Sequence, residues 1–271
     1  MMARLQLAAP LFVPGNRPER FGKAAASGAD AIIIDLEDAV AADDKDAARA
    51  ALRTGFGSVP IIVRVNAPGT RWHAADMAAI AGLDIAAVMV PKAEMGAGFA
   101  ATPGGKPVIA LVETARGLAD TRALAAMDGV ALLAFGSIDF CADLGCAHTR
   151  AALSAARCEI VLASRLAGIG APLDGVTTAI DDAAAIESDA RHARELGFGG
   201  KLLIHPRQVA PALAGLMPDA AEIEWARRVV AAADGASRVD GAMVDAPVRL
   251  RAEAILSRAG QSAQRPRGQG L

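Results

Sequence analysis

Ala31-Ile32-Ile33-Ile34-Asp35-Leu36-Glu37-Asp38 is an aliphatic run that ends in three carboxylates. A run with no polar alternation reads as a strand buried on both faces. Carboxylates beside it are costly to bury, so its carboxyl end must face a polar mouth. The same kind of apolar run recurs along the chain. Short β-like runs lie at Ala9–Pro14, Ala31–Leu36, Ile61–Asn66, Ala86–Pro91, Val108–Thr114, Ala131–Ser137, Leu173–Thr178 and Lys201–His205. Ala-rich helical patterns separate most of them, at Arg17–Ala26, Lys45–Thr54, Ala115–Ala126, Ala151–Ala167 and Asp181–Leu196. Several stop at glycine, as at Gly28, Gly129, Gly168 and Gly197. Eight βα units in about 200 residues predict an α/β chain folded as a (β/α)8 TIM barrel. An open doubly wound sheet shares the alternation, but no G-x-G-x-x-G follows an early strand.

The barrel is expected over residues 1–215. Beyond it the pattern changes to a helix at Asp219–Ala233, a Gly/Ser-containing link at Asp234–Gly241 and a further stretch at Met243–Gly260. Residues 216–260 thus read as a C-terminal helical lid or oligomer arm. Residues 261–271, polar with Gly and Pro, read as a disordered tail.

Composition narrows the class of function. The 271 residues carry 28 Lys+Arg against 30 Asp+Glu, a formal charge of -2, which argues against polybasic nucleic-acid or membrane binding. Aromatics are 3% with no Tyr, which removes a base-stacking platform. Hydrophobic residues at 53% rule out a disordered chain. No apolar run reaches the roughly 18–20 residues of a membrane span, and the first ten residues lack the apolar core of a signal peptide. Cys141, Cys146 and Cys158, odd in number and without a CxxC pair, read as thiols in a reducing cytoplasm.

In a barrel, catalytic groups come from the carboxyl ends of the strands. Period-two alternation puts Asp35 and Glu37 on one face, and Arg64 and Asn66 on another. An inward Arg64 must meet an anion: a substrate carboxylate, a developing oxyanion, or Asp35 or Glu37. Asp35 and Asp38 also fit structural roles, Asp38 as a helix cap. Glu113 and Asp139 each follow an apolar strand, and adjacent strands would bring them close together. Two carboxylates with no nearby His suit a hard, water-retaining cation, hence Mg2+. The alternatives are a general acid/base pair or a salt bridge to Arg116. Lys92 follows strand four, where a Schiff-base aldolase would carry its lysine, or it pairs with Glu94. His205 ends strand eight as a base, an oxyanion donor or a hydrogen-bonding support. No G-x-S-x-G, P-loop or HExxH occurs.

Taken in order, these segments resemble a known family. Leu11-Phe12-Val13-Pro14-Gly15-Asn16-Arg17-Pro18-Glu19-Arg20 and Ile34-Asp35-Leu36-Glu37-Asp38-Ala39-Val40 resemble the opening of the citrate lyase β-subunit-like proteins of the HpcH/HpaI aldolase superfamily. Val63-Arg64-Val65-Asn66, Val90-Pro91-Lys92-Ala93-Glu94, Leu111-Val112-Glu113-Thr114-Ala115-Arg116-Gly117, Phe135-Gly136-Ser137-Ile138-Asp139 and Ile204-His205-Pro206-Arg207-Gln208 follow in the family's order. Gly241-Ala242-Met243-Val244-Asp245-Ala246-Pro247 is similar to its C-terminal signature. Leu203 stands where relatives often carry Cys, and the C-terminal extension is shorter than in the longer malyl-CoA lyases.

The resemblance implies a TIM barrel holding Mg2+, with Mn2+ as a substitute, on Glu113 and Asp139. It implies that Arg64 is catalytic, that Arg64, Glu113 and Asn66 contact substrate, and that Asp35, Glu37, Asp38 and His205 support them. It makes Asp245 the base, carried on a segment that covers a neighbouring subunit's site in a homotrimer or hexamer. Arg17, Arg20 and Lys23 match a region that contacts CoA. The implied reaction is carbon–carbon cleavage, or the reverse condensation, on malyl-CoA or citramalyl-CoA, giving acetyl-CoA with glyoxylate or pyruvate. The alternatives are a citrate lyase β subunit cleaving a citryl thioester to oxaloacetate, and a non-catalytic barrel subunit.

Overall fold

The computed structural model describes residues 5–96, 105–232 and 237–263. Eight parallel strands run in sequence order: β1 (Pro10–Pro14), β2 (Ala31–Asp35), β3 (Ile61–Arg64), β4 (Ala87–Val90), β5 (Val108–Val112), β6 (Val130–Phe135), β7 (Leu173–Asp174) and β8 (Gly200–Lys201). A parallel bridge between Leu11 and Leu203 closes the sheet into a barrel. The Phe12 N–H donates to the Leu203 carbonyl at 2.8 Å, and the Leu203 N–H to the Pro10 carbonyl at 3.0 Å. The expected (β/α)8 barrel is thus the fold.

The unbroken apolar runs now have a cause. Ile33, Ile62, Met89, Ile109, Leu111, Leu132, Leu173 and Leu202 form one buried cluster inside the barrel. Their neighbours Ile32, Ile34, Val63, Val88, Leu133 and Phe135 belong to a second cluster against the helices. Both faces of β1 to β6 are therefore apolar up to their carboxyl ends, so polar alternation has no place in them.

The strands are shorter than their apolar runs, because the last residues of each run leave the ladder to build loops. The helices are α1 (Phe21–Ala25), α2 (Lys45–Ala50), α3 (His73–Ile80), α4 (Ala115–Ala125), α5 (Ser137–Leu144), α6 (Arg150–Ala167), α7 (Ala183–Leu196) and α8 (Val209–Leu216). Sequence patterning misses α3, α5 and α8. In α5 the cause is local: only Gly136 separates it from β6, so one apolar run spans both elements.

The C-terminal region departs from expectation. After α9 (Ala220–Ala231), the expected link contains half of a hairpin, β9 (Ser237–Val239) with β10 (Ala242–Val244). The last helix, α10 (Ala246–Ala263), runs into the expected tail, and residues 264–271 lie outside the described residues. Helices α9 and α10 share an apolar core of Ala226, Val229 and Ala252 with Val244 of the hairpin. Ala254, Ser257 and Arg258 of α10 line a cavity with Leu7, Ala8 and Gly199. Those residues precede β1 and β8, so α10 packs at the amino end of the barrel, away from the mouth of its own chain.

Between β7, β8 and α6 lies a charged layer that no patterning rule foresees. Arg157 Nε donates to Asp174 at 2.8 Å, and the buried Lys201 ammonium donates to the Gly175 carbonyl at 2.6 Å and to Asp174 at 3.4 Å. These partners offset much of the cost of burying the charges, although Arg157 Nη1 keeps no hydrogen-bond partner.

Gly200 marks a tight seam against the entry to β1. A side chain there would meet the carbonyl of Leu7 and, at 2.6 Å, that of Ala8. Backbone oxygens cannot swing aside. Gly200→Ala is expected to cost at least about 2 kcal/mol of unfolding free energy. Urea denaturation should show a lower midpoint at unchanged slope.

Candidate active site

The strand ends converge on a cavity of about 360 Å3 at the carboxyl face of the barrel. Its polar lining comes from Asp35, Asp38, Arg64, Glu113, Ser137 and Asp139. Phe12, Leu111, Phe135, Val176 and Leu202 supply an apolar wall.

Arg64 is the hub. It ends β3 beside Asp35, its register partner at the end of β2. The two form a bidentate pair, Nε to Oδ1 at 2.8 Å and Nη2 to Oδ2 at 2.6 Å. The third nitrogen, Nη1, stands 3.1 Å from Glu37 and 3.3 Å from Asp38. The guanidinium also lies over the Phe12 ring, 4.8 Å from its centroid. Burial works against its charge, but Asp35 and Glu37 more than offset this and hold it protonated. Asp35 has a second task. It accepts the Glu37 and Ala39 N–H groups at 2.8 and 3.0 Å, which folds the loop after β2 back on itself. Lys45 secures the same loop by donating to the Leu36 and Glu37 carbonyls.

Glu113 leaves the end of β5 and is 1% exposed. Oε1 accepts the Lys92 N–H at 2.8 Å, and the Lys92 ammonium stands 3.6 Å away. Oε2 is buried with no hydrogen-bond partner. Burial pushes this carboxyl up to about 8, and the nearby Glu37 adds to the rise. Glu37 is itself pushed up to about 7, again mainly by burial. Lys92 bridges the two acids, 3.2 Å from Glu37, and sits in the left-handed region at φ 47°. That strained backbone is what turns its N–H toward Glu113.

Asp139 is not at a strand end as expected, but in the first turn of α5. It still lines the cavity with Glu113. Gly136 between them is obligatory, because a Cβ there would strike Glu113 Oε2 and come within 2.5 Å of the Glu113 Cβ. An unpartnered buried carboxylate oxygen facing a second acid fits a divalent cation. Among the described residues no group of three or more His, Cys, Asp or Glu is arranged to hold a metal. A cation here would keep water or substrate oxygens in its remaining positions, as Mg2+ does.

Other expected site residues are placed differently. Asn66 does not line this cavity; its amide donates to the Leu36 carbonyl at 2.9 Å and to the fully buried Asp76 at 2.6 Å. It borders a neighbouring cleft of about 370 Å3 with Glu37, Lys45, Trp72 and Lys92. His205 caps the turn after β8, its Nδ1 accepting the Arg207 N–H. The residue patterning missed is Gln208. It is fully buried, accepts the Ile204 and His205 N–H groups and donates to the Thr177 and Ala179 carbonyls. A Gln three residues after a turn's first residue is the sequence signal that could have found it. Lys92 pairs with Glu37 and Glu113 rather than Glu94, which accepts from Thr114 instead. Arg116 pairs with Asp120, not with the site acids. Asp245 is exposed, caps α10 through the Val248 N–H, and is not among the cavity's lining residues. Arg17, Arg20 and Lys23 are exposed just beyond β1, on the mouth side.

A family model described as HpcH/HpaI aldolase/citrate lyase matches residues 9–206. A citrate lyase subunit beta-like protein of Mycobacterium tuberculosis is 42% identical over 263 residues, covering 93% of this chain and 95% of that protein. A (3S)-malyl-CoA thioesterase of Cereibacter sphaeroides is 37% identical over 252 residues, covering 87% and 88%. Among solved structures, protein CitE from M. tuberculosis in complex with magnesium, acetoacetate and coenzyme A has a TM-score of 0.85 and 39% identity. It covers 95% of this chain and 100% of that one.

The buried Glu113 makes a prediction about stability. Its carboxyl is raised from the ordinary 4.5 to about 8, so its stabilising protonated form is complete below 4.5 and is lost as pH climbs to 8. Without divalent cation, Glu113→Gln should therefore be more stable than wild type at pH 8, by up to about 4 kcal/mol, with no advantage near pH 4. Adding Mg2+ should raise the melting temperature of wild type only. Thermal melts across pH, with chelator and with metal, check this.

Proposed function

The chain belongs to the HpcH/HpaI aldolase/citrate lyase family. From that premise we propose that it is a Mg2+-dependent carbon–carbon lyase on a small β-hydroxyacyl-CoA, malyl-CoA or citramalyl-CoA, releasing acetyl-CoA with glyoxylate or pyruvate. The observation that carries the reading is the pairing of an unpartnered buried carboxylate, Glu113, with a locked guanidinium, Arg64, across one small cavity.

Cleavage of a β-hydroxyacyl thioester needs the hydroxyl acidified and the departing enolate stabilised. Glu113 and Asp139 would hold the cation, which when bound supplies Lewis-acid polarisation of substrate oxygens. Arg64 is fixed by Asp35, so its remaining N–H groups meet a developing enolate oxygen without reorganising. The Phe12 stack keeps the guanidinium plane in place and limits water around it.

The lining also favours a particular acyl class. Among the described residues lining the cavity, Arg64 is the single cationic side chain. A citryl thioester carries one carboxylate more than a citramalyl thioester. Against Leu111, Phe135, Val176 and Leu202 that charge would lie buried without a second cation. A hydrogen or methyl substituent suits this wall. Arg17, Arg20 and Lys23 are the proposed contacts for CoA phosphates at the rim. The base is assigned to Asp245 of a second copy, which makes the active form a homo-oligomer. The setting is assigned to the cytoplasm; among the described residues no helix is long and apolar enough to cross a membrane.

Turnover of both CoA thioesters with Mg2+ and with EDTA tests the reading. Metal-dependent release of acetyl-CoA supports it, and turnover insensitive to EDTA removes Glu113 and Asp139 as a metal site. Arg64→Lys loses the fork that meets Asp35 and should lower kcat by about 10²- to 10³-fold. Asp245→Asn should be similarly impaired. Mixed and reassembled with Arg64→Lys, it should regain part of the wild-type rate, because some sites would then combine an intact Arg64 with an intact Asp245. No recovery would leave Asp245 without a role in a neighbour's site.

A further inference from the structure

Helix α5 ends at Leu144, and Gly145 follows in the left-handed conformation at φ 70°. The Gly145 and Cys146 N–H groups both donate to the Cys141 carbonyl, at 2.9 and 3.1 Å. A helix end of this kind stacks the side chain after the glycine onto the one five residues earlier. Usually that contact is apolar. Here both residues are cysteines, and their sulfurs lie 3.7 Å apart. All three cysteines are free thiols: Cys141 is buried, Cys146 half-buried, and Cys158, on α6, exposed.

We propose that Cys141 and Cys146 form a dithiol modification site, which a hydroperoxide oxidises to a disulfide and a trivalent arsenical bridges. The Gly145 turn supplies the geometry, and closure from 3.7 Å to the about 2.05 Å of a disulfide is a short movement of the Gly145–Cys146 loop. The Cys146 thiolate, the more exposed, attacks the peroxide: an S–O bond forms, the O–O bond breaks, and alcohol or water departs. Cys141 then attacks the sulfenic sulfur. An S–S bond forms, the S–O bond breaks, and the released hydroxide leaves as water with the Cys141 proton. Two electrons pass from the thiols to the peroxide.

The site has a route to the cavity. Ser137 and Asp139 lie in the first turn of α5, and Cys141 one turn further on. In a helix of eight residues, a pull on Cys141 is carried to Asp139. Oxidation is therefore expected to weaken divalent-cation binding. That consequence rests on the reading of Asp139 as a cation ligand; the covalent chemistry does not.

The experiment uses the full chain. Phenylarsine oxide titration should bind one arsenical per chain, and Cys146→Ser should abolish it. Hydrogen peroxide should yield a monomeric chain lighter by two hydrogens, with Cys158 still open to alkylation, and thiol reductant should reverse the change. Mn2+ affinity read by electron paramagnetic resonance should fall several-fold on oxidation and return on reduction. Arsenical binding unchanged in Cys146→Ser, or disulfides formed only between chains through Cys158, would overturn the site. A disulfide that forms while Mn2+ affinity stays constant would overturn its link to Asp139. Cys146 lies in a loop, so its substitution keeps the test clear of the buried packing around Cys141. None of these readouts uses lyase turnover, so the failure of this proposal and that of the lyase reading are told apart.

Discussion

The mouth of this barrel depends on the bidentate pair between Arg64 and Asp35. Two adjacent strands end on these residues in register, and each is the other's bidentate partner at a depth where both are buried. An unpaired guanidinium or carboxylate there would cost several kcal/mol. The pair also sets what surrounds it. Asp35 turns the loop that presents Glu37 and Asp38 to the guanidinium, and Phe12 covers its face. The residual attraction of Arg64 points into the cavity, where the charge of a substrate would develop.

Around this pair the balance is reversed. Glu37 and Glu113 are buried acids whose charges are incompletely met, each with one oxygen lacking a hydrogen bond. Lys92 stands between them and serves both. Its position requires a left-handed backbone, a conformation with a cost for any residue bearing a side chain. Strain, raised carboxyl groups and unsatisfied oxygens coincide at one place, while the barrel interior beneath is apolar and fully packed. Such a concentration of unfavourable terms at one cavity marks the place where a ligand completes the structure.

Much of this was legible from residue order alone. Eight apolar runs with helical spacers define a barrel because both strand faces must be dry, and polar residues after such runs have only the mouth to face. Asp35, Arg64 and Glu113 follow from that rule. Asn66 shares the pattern of Arg64 but does not reach the cavity, because Asp76 from α3 captures its amide, and nothing in the local sequence announces a partner ten residues away. His205 takes the hydrogen-bonding role among those its position allowed, its Nδ1 capping the turn after β8. Gln208 escaped notice because its value lies in four hydrogen bonds that tie two loops together. Lys201 and Asp174 were hidden by short strands: two residues of ladder leave no alternation to read. Local pattern thus locates groups that emerge from the sheet, and misses those whose role is fixed by tertiary partners.

The position of the C-terminal region gives the last constraint. A thioester enolate is a strong base, and its productive lifetime depends on keeping water out of the cavity. Among the described residues of one chain, none from α9, the hairpin or α10 lines that cavity, and α10 packs at the amino end of the barrel. Among the described residues at the mouth, Ile138 and Ile204 are exposed and Asp139 partly so, while Arg64 lies buried beneath them. Met243 and Leu250, by contrast, expose apolar side chains on either side of Asp245, at 63% and 65% exposure. The mouth and the arm thus both expose apolar side chains. Under the oligomeric reading proposed above, closure of the site is a property of the assembly, each barrel being capped by a second copy.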